Sequence, residues 1–321
     1  MTRKLFSVML SAFALLLLMG AGVAPQQTVA LVTEEESVPL SWATLETDVQ
    51  SDDEADGGIR SAAVSASPLE LAENTDESVL IDGEHAPADL GKTQRNGVTY
   101  VALASMAKAL DENAQVNWDS ASGIVTVTTA QLKLTAKVGQ LYMEANGRYL
   151  YIPETVQLVN GRVVVPLTTV AKAFDAEVSW DAANSVVTVK RGSGAIQSGD
   201  SFYDQETLFW LSRVIYAESG NQCLEGQMAV GNVVMNRVAS PAYPDTVEAV
   251  LAQKNQFTTY KNGALAKRTP SASCVIAAKL VMDGGEVEET KGALYFNSCS
   301  SGWVSRNREC IAVIGAHKFY R

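Results

Sequence analysis

The chain has 321 residues, 47% of them hydrophobic, and a formal net charge of -11 at pH 7. That length leaves room for two packed domains, and the apolar content is too high for a wholly disordered protein. The acidic balance excludes a nucleic-acid-binding role, which needs a basic face to displace counterions from phosphates, and a single long apolar run excludes a membrane channel.

The N-terminus reads Met1-Thr-Arg-Lys4 and passes into an apolar run from Leu5 to Met19, followed by small residues. This is the layout of a secretory signal peptide, assigned to residues 1–30. Cleavage after Ala30 is favoured over Ala24, because Pro25 directly follows the earlier position. An uncleaved anchor is the alternative, but the run is short of the roughly 20 residues of a permanent span. No other contact with a membrane is expected. Residues 31–79 carry thirteen Asp and Glu between Glu34 and Glu77 against the single Arg60, which predicts a disordered, self-repelling acidic linker.

An internal repeat follows. Asn96-Gly-Val-Thr-Tyr-Val-Ala-Leu-Ala-Ser-Met-Ala-Lys-Ala-Leu110 aligns with Asn160-Gly-Arg-Val-Val-Val-Pro-Leu-Thr-Thr-Val-Ala-Lys-Ala-Phe174. The match continues with Gln115-Val-Asn-Trp-Asp119 over Glu177-Val-Ser-Trp-Asp181, and Ile124-Val-Thr-Val127 over Val186-Val-Thr-Val189. Each unit predicts strand, short helix, strand, turn, strand: alternation marks the strands, and Leu103, Met106, Ala107 and Leu110 keep helical spacing. Neither unit has much core alone, so the two are expected to bury their apolar faces against each other. Trp118 and Trp180 are expected as core aromatics at the start of each hairpin connection. The region, residues 80–191, resembles the copper amine oxidase-like N-terminal stalk domain. The chain has only His85 and His317 and lacks the block that carries the quinone tyrosine, so the repeat is read as a spacer or wall-adhesion module without redox chemistry. Residues 192–203, rich in Gly and Ser, are expected to form a linker.

The C-terminal region, residues 204–321, predicts a helix over 204–219, a second that follows at once with Met228, Val230, Val233, Val234 and Val238 as its apolar positions and is stopped by Ser240-Pro241, a short third from Pro244-Asp-Thr-Val247, and a fourth over 271–282. Strand-like segments are Ala293–Phe296 and Ile311–Ile314. Glu218 ends the first helix just before Gly220, beside Val214, Tyr216 and Ala217. Loss of water and the negative end of the helix dipole should both raise its pKa, as a glycosidase acid requires.

The blocks Ala217-Glu-Ser-Gly220, Glu225-Gly-Gln-Met-Ala-Val230, Val233-Val-Met-Asn-Arg-Val238, Gln256-Phe-Thr258, Gly292-Ala-Leu-Tyr-Phe-Asn297 and Ile314-Gly-Ala-His-Lys-Phe-Tyr320 together resemble the SleB-type cell wall hydrolases. The resemblance implies that Glu218 is the catalytic residue. It also implies that the substrate is the peptidoglycan glycan strand, cut at the β-1,4 link between N-acetylmuramic acid and N-acetylglucosamine, with a lean towards the spore cortex. Substrate contacts are then expected from Tyr216, Gln256, Phe257, Tyr295, Asn297 and His317, which can stack on sugar faces or hydrogen-bond N-acetyl groups.

The expected fold class is α+β: a lysozyme-like, mainly helical catalytic domain with a small sheet, behind a two-repeat α+β stalk. Two chemistries remain: hydrolysis, which needs a second carboxylate such as Glu225 within roughly 5 to 10 Å, and single-Glu lytic transglycosylation, which is favoured. A non-catalytic wall-binding protein is the rival reading. Neither a cofactor nor a metal is expected. The four cysteines, Cys223, Cys274, Cys299 and Cys310, are expected in disulfides. Cys299–Cys310 with Cys223–Cys274 is the preferred pairing, although the sequence does not choose among the three possible.

Overall fold

In the computed structural model the described residues are 69–73, 78–254, 256–298 and 302–321. The expected signal segment and most of the acidic stretch lie outside them. The end of that stretch is not a linker, because Leu69 is buried in a cluster with Tyr100 and Val164 and Ala72 bridges to Lys92. Among the described residues no helix is long and apolar enough to cross a membrane.

The stalk unit begins with β1 (Val79–Ile81), β2 (Glu84–His85) and β3 (Lys92–Arg95). The first repeat then supplies β4 (Val98–Ala102), α1 (Leu103–Leu110), β5 (Gln115–Asp119) and β6 (Ile124–Thr128). Three strands that the sequence reading did not anticipate follow: β7 (Lys133–Lys137), β8 (Tyr142–Ala145) and β9 (Arg148–Tyr151). After β10 (Gln157–Val159), the second repeat gives β11 (Arg162–Pro166), α2 (Leu167–Ala173), β12 (Glu177–Asp181) and β13 (Val186–Lys190). The strands form three sheets, in the orders β5-β6-β7-β8-β9, β10-β11-β4-β3 and β12-β13-β1-β2.

The two repeats meet at β4 and β11, which pair antiparallel with Val101 opposite Val165. Those two valines are equivalent in the repeat alignment, so a local two-fold axis runs between them. Each repeat opens with an Asn-Gly hairpin in which both residues have positive φ: 50° and 76° at Asn96-Gly97, 50° and 74° at Asn160-Gly161. Asn and Gly tolerate that left-handed turn, which matches the strand twist. Leu103, Met106, Leu167, Val170 and Phe174 from α1, α2 and the residue after it are buried in one core with strand residues of both repeats, which is the shared packing the repeat implied.

One expectation about the stalk fails. Trp118 and Trp180 are 41% and 52% exposed, not core aromatics, because each sits near the outer end of a strand whose residues are mostly open to solvent.

Residues 192–203 are not a free linker either. Ile196 is buried in the stalk core, its N–H donates to the Ala173 carbonyl at 2.9 Å, and the Gly199 N–H donates to the Asn146 carbonyl at 2.9 Å. The segment ends in the short helix α3 (Gly199–Phe202).

The C-terminal unit contains α4 (Gln205–Ser219), α5 (Leu224–Ala239), α6 (Val247–Ala252), α7 (Thr258–Lys261) and α8 (Ala272–Met282). A three-stranded sheet follows, made by β14 (Tyr295–Asn297), β15 (Cys310–Ile314) and β16 (His317–Tyr320) in the order β14-β16-β15, with α9 (Trp303–Asn307) between the first two in sequence. The central strand β16 went unrecognised in the sequence because it follows β15 after only two residues. Side-chain caps start the main helices: Asp204 accepts from Thr207 N–H at 2.7 Å, Thr246 from Ala249 at 3.2 Å and Ser271 from Cys274 at 3.3 Å. Helices α4, α5 and α8 pack closely because Gly231 lies at their crossing, where a methyl group would stand 2.9 Å from Ile215 Cδ1 and 3.2 Å from Val281 Cγ2.

The expected disulfides are not formed by the described cysteines. Cys223, Cys274 and Cys310 are free thiols, and Cys299 lies outside the described residues. Cys274 is buried in the core on α8, its sulfur accepting a hydrogen bond from Ser271 Oγ at 3.2 Å, whereas Cys223 is exposed.

The two units are joined by a buried polar network. The Asp283 carboxylate, just after α8, accepts from Arg148 Nε at 2.9 Å and Nη2 at 2.7 Å, from Tyr203 Oη at 3.1 Å, and pairs with Lys172 Nζ at 2.7 Å. Burial alone would raise the Asp283 pKa, but the hydrogen bonds and charges of Arg148 and Lys172 outweigh it and hold the carboxyl below its usual range. Tyr142, Tyr149 and Tyr151 of the stalk pack against the apolar core of the C-terminal unit.

Candidate active site

Leu211, Val214 and Ile215 form the buried stripe of α4, and Glu218, one turn beyond Val214, continues it into the last turn. The carboxylate is therefore half-buried. Burial pushes its pKa above the ordinary glutamate value, and the nearby Arg268 guanidinium opposes the shift. The direction is the one the sequence predicted. Arg268 was counted there only among scattered surface charges. The helix ends tightly, since a Cβ at Gly220 would stand 2.6 Å from the Tyr216 carbonyl oxygen.

The loop after Glu218 is fixed from two sides. Gln227 Nε2 donates to the Gln222 carbonyl at 3.1 Å while its Oε1 accepts from Ser273 Oγ at 2.7 Å. Gln222 Oε1 accepts the Ala316 N–H at 3.1 Å, one residue before His317. The end of α4 is thereby tied to the β15–β16 hairpin. His317 is buried, packs edge-on to Phe296 at 5.6 Å between ring centres, and its Nδ1 makes no hydrogen bond among the described residues. Burial lowers its pKa, which favours the neutral imidazole.

Three more of the expected contact residues, Gln256, Phe257 and Tyr295, gather around Arg237, a buried charge on α5. Its Nε donates to the Leu294 carbonyl at 2.8 Å and its Nη1 to Gln256 Oε1 at 3.1 Å, and its guanidinium lies 5.7 Å from the ring centres of both Phe257 and Tyr295. Asn236 Nδ2 bonds the Ala293 carbonyl at 3.0 Å. The pair fastens α5 to β14. Phe257 is a correction: only 6% exposed, it is a core side chain and has no face to offer a sugar. Tyr216 is half-buried and packs on the same core.

Towards solvent, Arg308 Nη2 donates to Tyr295 Oη at 3.2 Å and lies 5.5 Å from the ring centre of Trp303, which is 58% exposed. Asn297 Nδ2 donates to Ser305 Oγ at 3.1 Å, and Asn297 Oδ1 accepts from Tyr320 Oη at 3.2 Å. Trp303, Arg308 and Ser305 were missed in the sequence, where the only signal was an aromatic near basic residues. Glu225, the other carboxylate considered, is half-buried and raised in pKa by burial and by Glu289, and it lies close enough to raise the pKa of Tyr151 in the stalk as well. Among the described residues no group of three or more His, Cys, Asp or Glu is placed to hold a metal.

Comparison with known proteins bears on both units. Residues 221–320 match the Cell Wall Hydrolase family, and residues 80–189 match the copper amine oxidase N-terminal domain. The chain thus carries a cell wall hydrolase domain of the SleB type behind a copper amine oxidase-type N-terminal domain. Glu218 lies three residues ahead of the first match. The chain is 32% identical over 121 residues to a spore cortex-lytic enzyme of Bacillus cereus, covering 36% of this chain and 45% of that protein. With the spore cortex-lytic enzyme of Bacillus subtilis the identity is 30% over 111 residues, 34% of this chain and 35% of that protein. The similarity spans less than half the length of these relatives. Among solved structures, the catalytic domain of the Bacillus cereus SleB protein is 29% identical, with 37% of this chain and 92% of that one covered and a TM-score of 0.34.

Proposed function

We propose that this chain is an exported glycosidase of peptidoglycan that cuts the β-1,4 bond between N-acetylmuramic acid and N-acetylglucosamine as a single-Glu lytic transglycosylase, with the spore cortex as its wall. The observation that carries the reading is Glu218: a half-buried carboxyl, raised in pKa by burial, at the end of the helix that leads into the matched cell wall hydrolase region. The relatives' name, spore cortex-lytic enzyme, supports the substrate.

In this mechanism the protonated Glu218 donates its proton to the glycosidic oxygen as the bond from muramic C1 breaks. The carboxylate left behind takes the proton of the muramic 6-hydroxyl while that oxygen bonds C1. A 1,6-anhydro end forms and Glu218 is again protonated, so no second carboxylate is needed. Glu225, whose charge interacts with those of Glu289 and Tyr151, takes no part in this mechanism. We read the helical body, small sheet and Glu at the end of an early helix as a lysozyme-like catalytic fold. Trp303 and Tyr295 offer aromatic faces for sugar rings, and Asn297 and Gln256 offer amides for N-acetyl groups.

The test is digestion of purified peptidoglycan and spore cortex by the full chain, wild type beside Glu218→Gln, with products identified by mass spectrometry. Anhydro-muramic ends that vanish in the variant are expected. Reducing ends would overturn the transglycosylase step, and undigested glycan with the wild type would overturn the enzymatic reading in favour of a wall-binding protein.

A further inference from the structure

Trp118 and Trp180 occupy equivalent positions in the two repeats, and each floors a cleft built in the same way. Trp180, with Val178 and Val187, faces the start of α2 (Leu167, Thr168) and the hairpin of the other repeat (Gly97, Val98, Thr99), with Gln94 alongside, enclosing about 350 Å³. Trp118, with Val116 and Val125, faces the start of α1 (Ala104, Ser105) and the opposite hairpin (Gly161, Arg162, Val163), enclosing about 160 Å³. The local two-fold axis between Val101 and Val165 exchanges the two clefts. Each one is therefore made jointly by both repeats.

The cleft chemistry selects the occupant. The larger cleft has an indole face, hydroxyls from Thr99 and Thr168 and the Gln94 amide, and no charged side chain. A phosphate polymer or a charged peptide would find no counter-charge there. A neutral ring with an apolar face and a rim of hydroxyl and amide groups fits, with the ring on the indole and the rim on the polar side chains. The smaller cleft repeats the indole beside the Ser105 hydroxyl and adds Arg162, whose Nη1 donates to the Asp89 carbonyl at 3.0 Å; two indole-lined clefts on one rigid unit suit a polymer of repeating sugars.

The geometry points to Trp118 and Trp180 as twin binding sites for glycan strands, through which the stalk holds the chain on the polymer. That the polymer is wall glycan rests on the function proposed above; the clefts themselves do not. Two sites on one polymer reinforce each other through effective concentration, so loss of either weakens binding disproportionately.

The experiment is sedimentation of the full chain, carrying Glu218→Gln so that the polymer stays intact, with purified peptidoglycan stripped of attached polymers. Trp118→Ala and Trp180→Ala should each weaken binding roughly a hundredfold, because either one removes the avidity of the pair, and the double variant should lose binding altogether. Trp→Tyr at both positions should keep most of it, and Leu158→Ala, an exposed stalk residue (49%) outside both clefts, should keep all of it. Acrylamide quenching of the parent carrying Trp303→Phe, which leaves Trp118 and Trp180 as the exposed tryptophans among the described residues, should fall when soluble glycan fragments are added. The inference is overturned if the double alanine variant, shown folded by thermal melting, sediments like its parent, or if quenching is unchanged. Failure of the function is separate: a wild-type chain that leaves glycan intact while Trp-dependent sedimentation persists would refute the enzyme and support the sites.

Discussion

Asp283 is the point at which the stalk and the hydrolase domain are joined, and its removal has a calculable effect. The Asp283 and Arg148 side chains are 2% and 8% exposed, so Asp283→Ala strands a guanidinium in a dry interface. Breaking one partner of a buried pair costs roughly 3–5 kcal/mol. Lys172 is 45% exposed, so its ion pair falls in the screened regime of about 0–1 kcal/mol. At roughly 2–4 °C per kcal/mol for a folded body of this size, Asp283→Ala should lower the melting temperature by about 6–20 °C, and Lys172→Ala by no more than about 4 °C. The assay is calorimetric melting at pH 7, where the weakened interface should also split one transition into two. The Asp283 carboxyl titrates below its unfolded value, so its stabilisation is present above about pH 3.9 and is lost as pH falls through the lower folded pKa. The gap between wild type and variant should narrow accordingly in acid. A shift under 2 °C with a single transition would refute the reasoning.

Glu218 predicts the opposite pH dependence. Its raised folded pKa means that stability is lost as pH rises past the ordinary glutamate value of about 4.3, so Glu218→Gln should melt higher than wild type at pH 7 and no higher at pH 4, while wall cleavage falls roughly 100- to 10,000-fold. Asn232 donates to the Gly285 carbonyl at 2.8 Å and accepts the Val287 N–H at 3.2 Å in the core; Asn232→Ala strands both groups and should cost roughly 2–4 kcal/mol in urea unfolding. Gly231→Ala forces a methyl between Ile215 and Val281 and should cost roughly 1–3 kcal/mol in the same assay. Native Cys223 and Cys310 should react with a thiol reagent and Cys274 only after unfolding, so Cys274→Ser should leave the native thiol count unchanged.

Much of this molecule is written in local sequence. Periodic apolar residues and capping side chains at Asp204, Thr246 and Ser271 define the long helices, the Asn-Gly pairs define hairpins, and the doubled segment from Asn96 and from Asn160 defines a paired stalk. The position of Glu218 at the end of an apolar stripe predicts its raised pKa, because a residue that continues a helix's buried face is buried with it. Contacts between distant segments decided the rest. Whether Trp118 and Trp180 face the core depends on where the sheet ends, and a strand's alternation does not say so. Cys274 is a core side chain because α8 turns it inward, which spacing cannot show. Residues 192–203 read as a linker by composition, yet Ile196 finds a pocket more than a hundred residues away in the chain from the N-terminal strands that help build it. The joining of Asp283 to Arg148 across 135 residues, and of Gln222 to the turn before His317, are matters of tertiary structure alone: a hydrogen bond between remote segments leaves no periodic trace in either one.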